Sequence, residues 1–176
     1  DFSPQDIAAI KAAANLQIIP RPAFNIAYIG VNLTMKPFDN VNVRKAVASA
    51  INKQAIVQAI YSGEAKAASQ FLVPGMLGYD ESVTDFYKYD AAAAKKYLAD
   101  AGFPNGFDTE IWYMPVSRPY YPDPKKIAEA FAADLNKVGI RAKLMTKDWT
   151  PYRADARENK YPLWLLGWTG DNGDPD

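Results

Sequence analysis

Between Phe107 and Trp168 the spacing of apolar residues switches from a period of two to a period near 3.6 and back, twice. Phe107 to Met114 alternates as a strand. Asp123-Pro124 then opens a helix, with an acid placed to cap and a proline at the first helical position. Its inward face is Ile127, Ala130, Phe131, Leu135 and Val138, and Gly139 ends it. Ile140 to Thr146 alternates again, Thr150-Pro151 opens a helix to about Asn159, and Leu163 to Trp168 is a buried strand. Strand, helix, strand, helix, strand with short connections is the pattern of a parallel sheet with helical crossovers. That prediction sets where a ligand would go, because open parallel sheets bind beyond the carboxyl ends of their strands.

The rest of the chain reads less regularly. Ser3-Pro4 opens a helix to about Ala14, and Leu16 to Ile19 and Asn25 to Asn32 read as strands. Asn40 to Tyr61 is helical, with a break near Asn52 and a stop at Gly63. Residues 64–89 show little periodicity, and a loop of that length tends to be functional or to wrap a surface. Asp90 caps a helix over Ala91 to Ala101, which Gly102 and Pro104 terminate. No internal repeat, low-complexity tract or linker interrupts residues 1–176, so the chain reads as one α/β unit without an internal domain boundary.

Composition removes several function classes. The 176 residues contain no Cys and no His, which excludes Cys/His zinc sites, thiol nucleophiles and Ser-His-Asp triads. Lys+Arg and Asp+Glu balance at 20 each, so no net field points to nucleic acid or an anionic membrane. The apolar runs are too short to span a bilayer. Aromatic residues, at 13%, supply amphipathic contact area that suits a binding surface as readily as a core.

Two of the three strands in the regular segment end in chemically loaded loops. Pro115-Val116-Ser117-Arg118-Pro119-Tyr120-Tyr121-Pro122 follows Met114, and Thr169-Gly170-Asp171-Asn172-Gly173-Asp174-Pro175-Asp176 follows Trp168. In a parallel sheet both lie on one edge, and they present Arg118 from one loop and Asp171 from the other. A cation and an anion held apart with aromatics between them can receive a zwitterion, carboxylate to the guanidinium fork and ammonium to the aspartate. Each residue also has a plainer reading: Arg118 as a loop arginine paired with a nearby acid, Asp171 as a turn former before Asn172-Gly173, Trp168 as core. The Asp171, Asp174, Asp176 spacing does not match a calcium loop, and Pro175 interrupts it. Asp171 with Asp174 or Glu110 leaves a carboxylate-based hydrolase as the alternative from another class.

At these loops the chain resembles a known family. Trp112-Tyr113-Met114-Pro115-Val116-Ser117-Arg118-Pro119-Tyr120 and Gly167-Trp168-Thr169-Gly170-Asp171-Asn172-Gly173-Asp174-Pro175-Asp176 are similar to the dipeptide-binding branch of the peptide/nickel/oligopeptide class of extracellular solute-binding proteins. These are periplasmic receptors of bacterial ABC importers. Asn25-Ile26-Ala27-Tyr28-Ile29-Gly30-Val31-Asn32, Pro37 to Ala46 and Ala50-Ile51-Asn52-Lys53 carry the resemblance through the chain. It implies an α/β fold that is one lobe, incomplete, of a two-lobed periplasmic-binding-protein-like architecture (type II, peptide-receptor subclass). Residues 1–176 are then part of the second lobe, and the stop at Asp176 is a cut through that lobe.

The implied function is non-enzymatic: capture of dipeptides and delivery to a membrane permease. Arg118 then pairs with the ligand carboxylate, Asp171 with its ammonium, and Trp168 is a pocket aromatic, with Gly167, Thr169 and Met114 as further ligand-binding positions. The implied partners are a dipeptide or short peptide, the permease subunits and the remaining lobe, with no cofactor, metal or nucleic acid. The implied location is the periplasm, or the outer face of a membrane by an anchor. Receptors of the same class for longer peptides, haem or a nickel complex are the alternative. The segment Tyr121-Pro122-Asp123-Pro124-Lys125-Lys126 departs from the family pattern and puts the ligand side-chain preference in question.

Overall fold

The computed structural model describes residues 6–19, 23–84 and 87–170. Ten elements follow in chain order: α1 (Ile7–Ala12), β1 (Asn25–Val31), α2 (Val41–Ala50), α3 (Lys53–Ile60), α4 (Ala91–Asp100), β2 (Phe107–Trp112), α5 (Pro124–Lys137), β3 (Ile140–Met145), α6 (Trp149–Arg157) and β4 (Leu163–Thr169). Most helix starts are set by a side chain that accepts otherwise orphaned N–H groups. Asp90 accepts from Ala92 and Ala93, Asp123 from Lys126, and Asn52 from Ala55. Asn52 thereby restarts the helix that Ile51 ends, which accounts for the break between α2 and α3. At the far end of α5, Gly139 takes φ +98°, a conformation that L side chains rarely adopt, and hands the chain to β3.

The four strands form one sheet in the order β1-β4-β2-β3. β2 runs parallel to β3 from Phe107↔Ile140 to Trp112↔Met145. It runs parallel to β4 over Ile111↔Leu163 and Trp112↔Trp164. Because β3 and β4 flank β2 on either side, right-handed crossovers place α5 and α6 on opposite faces of the sheet. β1 joins the outer side of β4 antiparallel, from Asn25↔Thr169 to Val31↔Leu163. The core lies between sheet and helices: Ile111, Ile140, Leu163 and Leu165 from the strands, Ile127 and Leu135 from α5, Val43 and Val47 from α2, Leu98 from α4. Asp134 is a carboxylate within this layer, 7% exposed, and it is satisfied by the Asn52 N–H at 2.9 Å and the Lys137 ammonium at 2.7 Å.

Three expectations change. Leu16 to Ile19 forms no strand; Leu16 and Ile19 are 55% and 68% exposed. The sheet is mixed rather than wholly parallel, since β1 is antiparallel. The last helix begins at Trp149, one residue before the Thr150-Pro151 pair. The Ser3-Pro4 helix start and Asp171 to Asp176 lie outside the described residues.

Candidate functional site

The carboxyl ends of β2, β3 and β4 share one edge of the sheet, and the amino end of β1 joins them there. Arg118 is delivered to this edge by a tight turn. Its N–H donates to the Tyr121 carbonyl and the Tyr121 N–H returns to the Arg118 carbonyl, each at 2.9 Å. Pro119 occupies the second position of this four-residue turn, where its fixed φ costs nothing. The turn is fastened from two sides. The Tyr61 hydroxyl donates to the Tyr120 carbonyl at 2.7 Å, and the buried Tyr121 hydroxyl donates to the Tyr28 carbonyl of β1 at 3.0 Å. Burial is what pushes the pKa of Tyr61 and Tyr121 far up, so both stay protonated donors.

Gly167 explains how this turn reaches β4. A Cβ there would collide with the ring of Tyr120 and with the Ile26 carbonyl, so a glycine lets the Tyr120 ring lie on the strand. The loop after β2 thus packs on the end of β4, one residue before Trp168. Trp168 is 56% exposed and Thr169 is exposed, both on the last turn of β4 and opposite Ile26 and Asn25 of β1.

Arg118 is half-buried, and among the described residues its guanidinium is held by an aromatic rather than by an acid. Its central carbon lies 4.8 Å from the ring centre of Trp149, the first residue of α6. Arg153, one helical turn on, lies 5.5 Å from the same ring. The Tyr120 hydroxyl is within hydrogen-bonding reach of Arg118; burial raises its pKa while the Arg118 charge pulls it back down. Among the described residues no carboxylate pairs with Arg118 or Arg153.

Tyr152 anchors the helix that carries this ring. Its side chain is wholly buried, and its hydroxyl donates to the Leu165 carbonyl of β4 at 2.6 Å, with the Trp112 carbonyl of β2 at 3.1 Å sharing the proton. The β2–β4 ladder stops at Trp112↔Trp164, so the hydroxyl bridges the two strands where their own pairing has ended. Trp149 stacks on Tyr152 at 6.0 Å.

The structure therefore brings Arg118, Gly167 and, through Gly167, Trp168 and Thr169 to one edge, while Asp171 lies outside the described residues. Met114 does not join them: it is 1% exposed, within the core, because it is the last inward-facing residue after β2. Glu110 is also apart from the edge, within β2, where it accepts from the Trp112 indole N–H at 2.9 Å. A shallow trough over Asp108, Glu110, Arg141 and Lys143 is likewise remote from this edge, and Arg141 there is paired with Asp108. Trp149, Tyr152 and Arg153 are not among the residues expected at the site. The i, i+4 spacing of Trp149 and Arg153 on a helix that follows a strand end is the signal for them.

Comparison with known proteins places the chain in a family. The whole chain, residues 1–176, matches the model of bacterial extracellular solute-binding proteins, family 5, middle. The chain belongs to this family. The dipeptide-binding protein of Escherichia coli (strain K12) is 41% identical over 174 residues, 99% of this chain and 32% of that protein. Heme-binding protein A of Haemophilus influenzae is 42% identical over 171 residues, 97% of this chain and 31% of that protein. In structure, the dipeptide-binding protein of Pseudoalteromonas sp. SM9913, solved in complex with Met-Leu, aligns with a TM-score of 0.89 at 33% identity, covering 99% of this chain and 34% of that one. The chain spans about a third of the length of the relatives it matches.

Proposed function

We propose that this chain is part of the second lobe of a periplasmic receptor that captures dipeptides and hands them to the permease of an ABC importer. The observation that carries the reading is Arg118, a half-buried residue at the carboxyl edge whose guanidinium has no acid partner among the described residues. An arginine so placed suits a planar carboxylate arriving with the ligand. Asp171, two residues beyond the end of β4, takes the ligand ammonium, and Trp168 and Thr169 line the approach between the two poles. Relatives named for dipeptide binding at 41–43% identity support the same assignment. They are named as binding proteins, and the receptor acts without catalysis.

Titration calorimetry of the receptor carrying both lobes tests this with Ala-Ala. Arg118→Ala is expected to weaken binding by about tenfold or more, and Asp171→Ala by several-fold or more, since each leaves a buried ligand charge unpaired. Unchanged affinity in either variant removes that residue from the site. The 176-residue chain alone supplies part of the cleft wall, so it binds weakly; sub-micromolar affinity for this piece overturns the two-lobe account.

One specific observation favours a second reading, the 42% identity to a protein named for haem binding. This chain has no His or Cys, so within it haem would be held by its propionates at Arg118 and by aromatic stacking, with Tyr or Met as the available axial ligand. A Soret shift on adding hemin to the receptor, abolished by excess Ala-Ala, would establish that reading.

A further inference from the structure

We propose that Arg153 is a second guanidinium of the carboxylate pole, so that the receptor prefers peptides whose C-terminal residue is Asp or Glu. The inference rests on the dipeptide reading above and goes on to ligand preference. Arg118 and Arg153 lie 4.8 Å and 5.5 Å from the centre of one indole, which puts their guanidinium carbons at most about 10 Å apart. Two cations this close repel one another unless an anion lies between or beside them.

The chain does not supply that anion from its described residues. Asp155, the acid within α6, has one oxygen bound to Lys147 and the other to Lys160. The remaining ion pairs join other residues, and none includes Arg118 or Arg153. Among the described residues, this edge keeps two guanidiniums over one ring without a carboxylate partner. Their burial differs in a useful way. Arg118 is half-buried and lies over the Trp149 ring, which suits a contact made with every ligand. Arg153 is exposed, which suits a contact made with ligands that reach it.

The dimensions agree. The two carboxyl carbons of a C-terminal Glu stand about 4–5 Å apart, and each guanidinium–carboxylate pair adds about 4 Å between carbons, so one residue spans the gap. A neutral C-terminal residue engages Arg118 and leaves Arg153 to water. An exposed pair contributes modestly, and closure of a cleft over it strengthens the contact.

Calorimetry on the two-lobed receptor with Ala-Ala, Ala-Gln and Ala-Glu tests the assignment, Gln being the neutral isostere. The wild type is expected to bind Ala-Glu about fivefold more tightly than Ala-Gln. Arg153→Gln is expected to erase that preference, with a cost below about twofold for Ala-Ala, and Arg153→Lys to restore part of it. Because Arg153 is exposed, a thermal melt of the variant should match the wild type. Equal affinity for Ala-Glu and Ala-Gln in the wild type overturns the proposal, as does an equal loss for all three ligands in Arg153→Gln. Failure to bind any of the three overturns the dipeptide reading itself, and the two failures are thereby distinct.

Discussion

Two clusters of cations over aromatic rings lie side by side on the α6 face, and they are finished differently. In the first, the Lys147 ammonium lies 5.2 Å from the Trp112 ring and 5.5 Å from that of Tyr161, and those two rings stack at 4.3 Å. Asp155 closes this cluster by binding Lys147 and Lys160, and the two lysines hold its carboxyl down to about 2. In the second, Arg118 and Arg153 share the Trp149 ring with no acid among the described residues. Tyr152 joins the two, stacked on Trp149 and tilted against Tyr161 at 5.4 Å. The same materials make a structural buttress when the charge is balanced internally. Under the function proposed above, they make a recognition surface when the counter-charge is brought by a ligand.

The sharpest way to break the contrast is to cut the residue both clusters share. Tyr152→Phe keeps the ring but leaves the Leu165 and Trp112 carbonyls without their donor, and should cost roughly 1–3 kcal/mol in a denaturant melt. No change in stability there would mean that the strands do not depend on the hydroxyl.

Next comes the closed cluster. Asp155→Asn should lower Tm by a few degrees, because Lys147 and Lys160 lose the carboxylate they share, Lys160 keeping its pair with Glu158. The wild type carries a pH signature with it. Asp155 is depressed from 3.8 to about 2, so its contribution is full above about pH 4 and is lost as pH falls through about 2. An NMR titration of the Asp155 carboxyl carbon checks the midpoint; an ordinary midpoint near 4 would mean the cluster is not closed.

Smaller effects belong to the open cluster. Trp149→Leu should weaken Ala-Ala binding by the two-lobed receptor about threefold through loss of the ring under Arg118, a loss that Trp149→Phe partly recovers. Smallest of all, Thr150→Glu places an acid three residues before Arg153, in the first turn of α6. It should stabilise that turn by about 0.3–0.5 kcal/mol while lowering ligand affinity about twofold, by converting the open cluster into a closed one. Affinity that rises instead would show that Arg153 repels the ligand.

How far these features are legible depends on their range along the chain. The alternation of β2 and β3, the caps Asp90 and Asp123, and the break at Asn52 are local chemistry, and all form as their residues suggest. Leu16 to Ile19 has strand composition but finds no partner, because strand propensity expresses a neighbour's surface more than a backbone preference. The insertion of β4 between β1 and β2 depends on residues more than a hundred positions apart, and no local period reports it. Arg118 and Trp168 were legible as strand-end residues. Met114 was not separable from them, since burial at a strand terminus is decided by what packs over it. Trp149 was hidden because its contact with Arg118 depends on the loop after β2 meeting the start of α6 after β3.

The order in which the sheet is filled has a kinetic consequence. β4 comes after the other described elements in sequence, yet it occupies an interior slot, flanked by β1 and β2. During synthesis β1 and the β2–β3 pair emerge with that slot open, and β1 can enter the sheet only when Leu163 to Thr169 has arrived. Closing so long a span before any reward from pairing makes this a late step. Until then the edges of β1 and β2 that β4 covers are open to pairing with other chains. The Arg118 turn, pinned to β1 through Tyr121 and to β4 through Gly167, takes its final shape only at that moment.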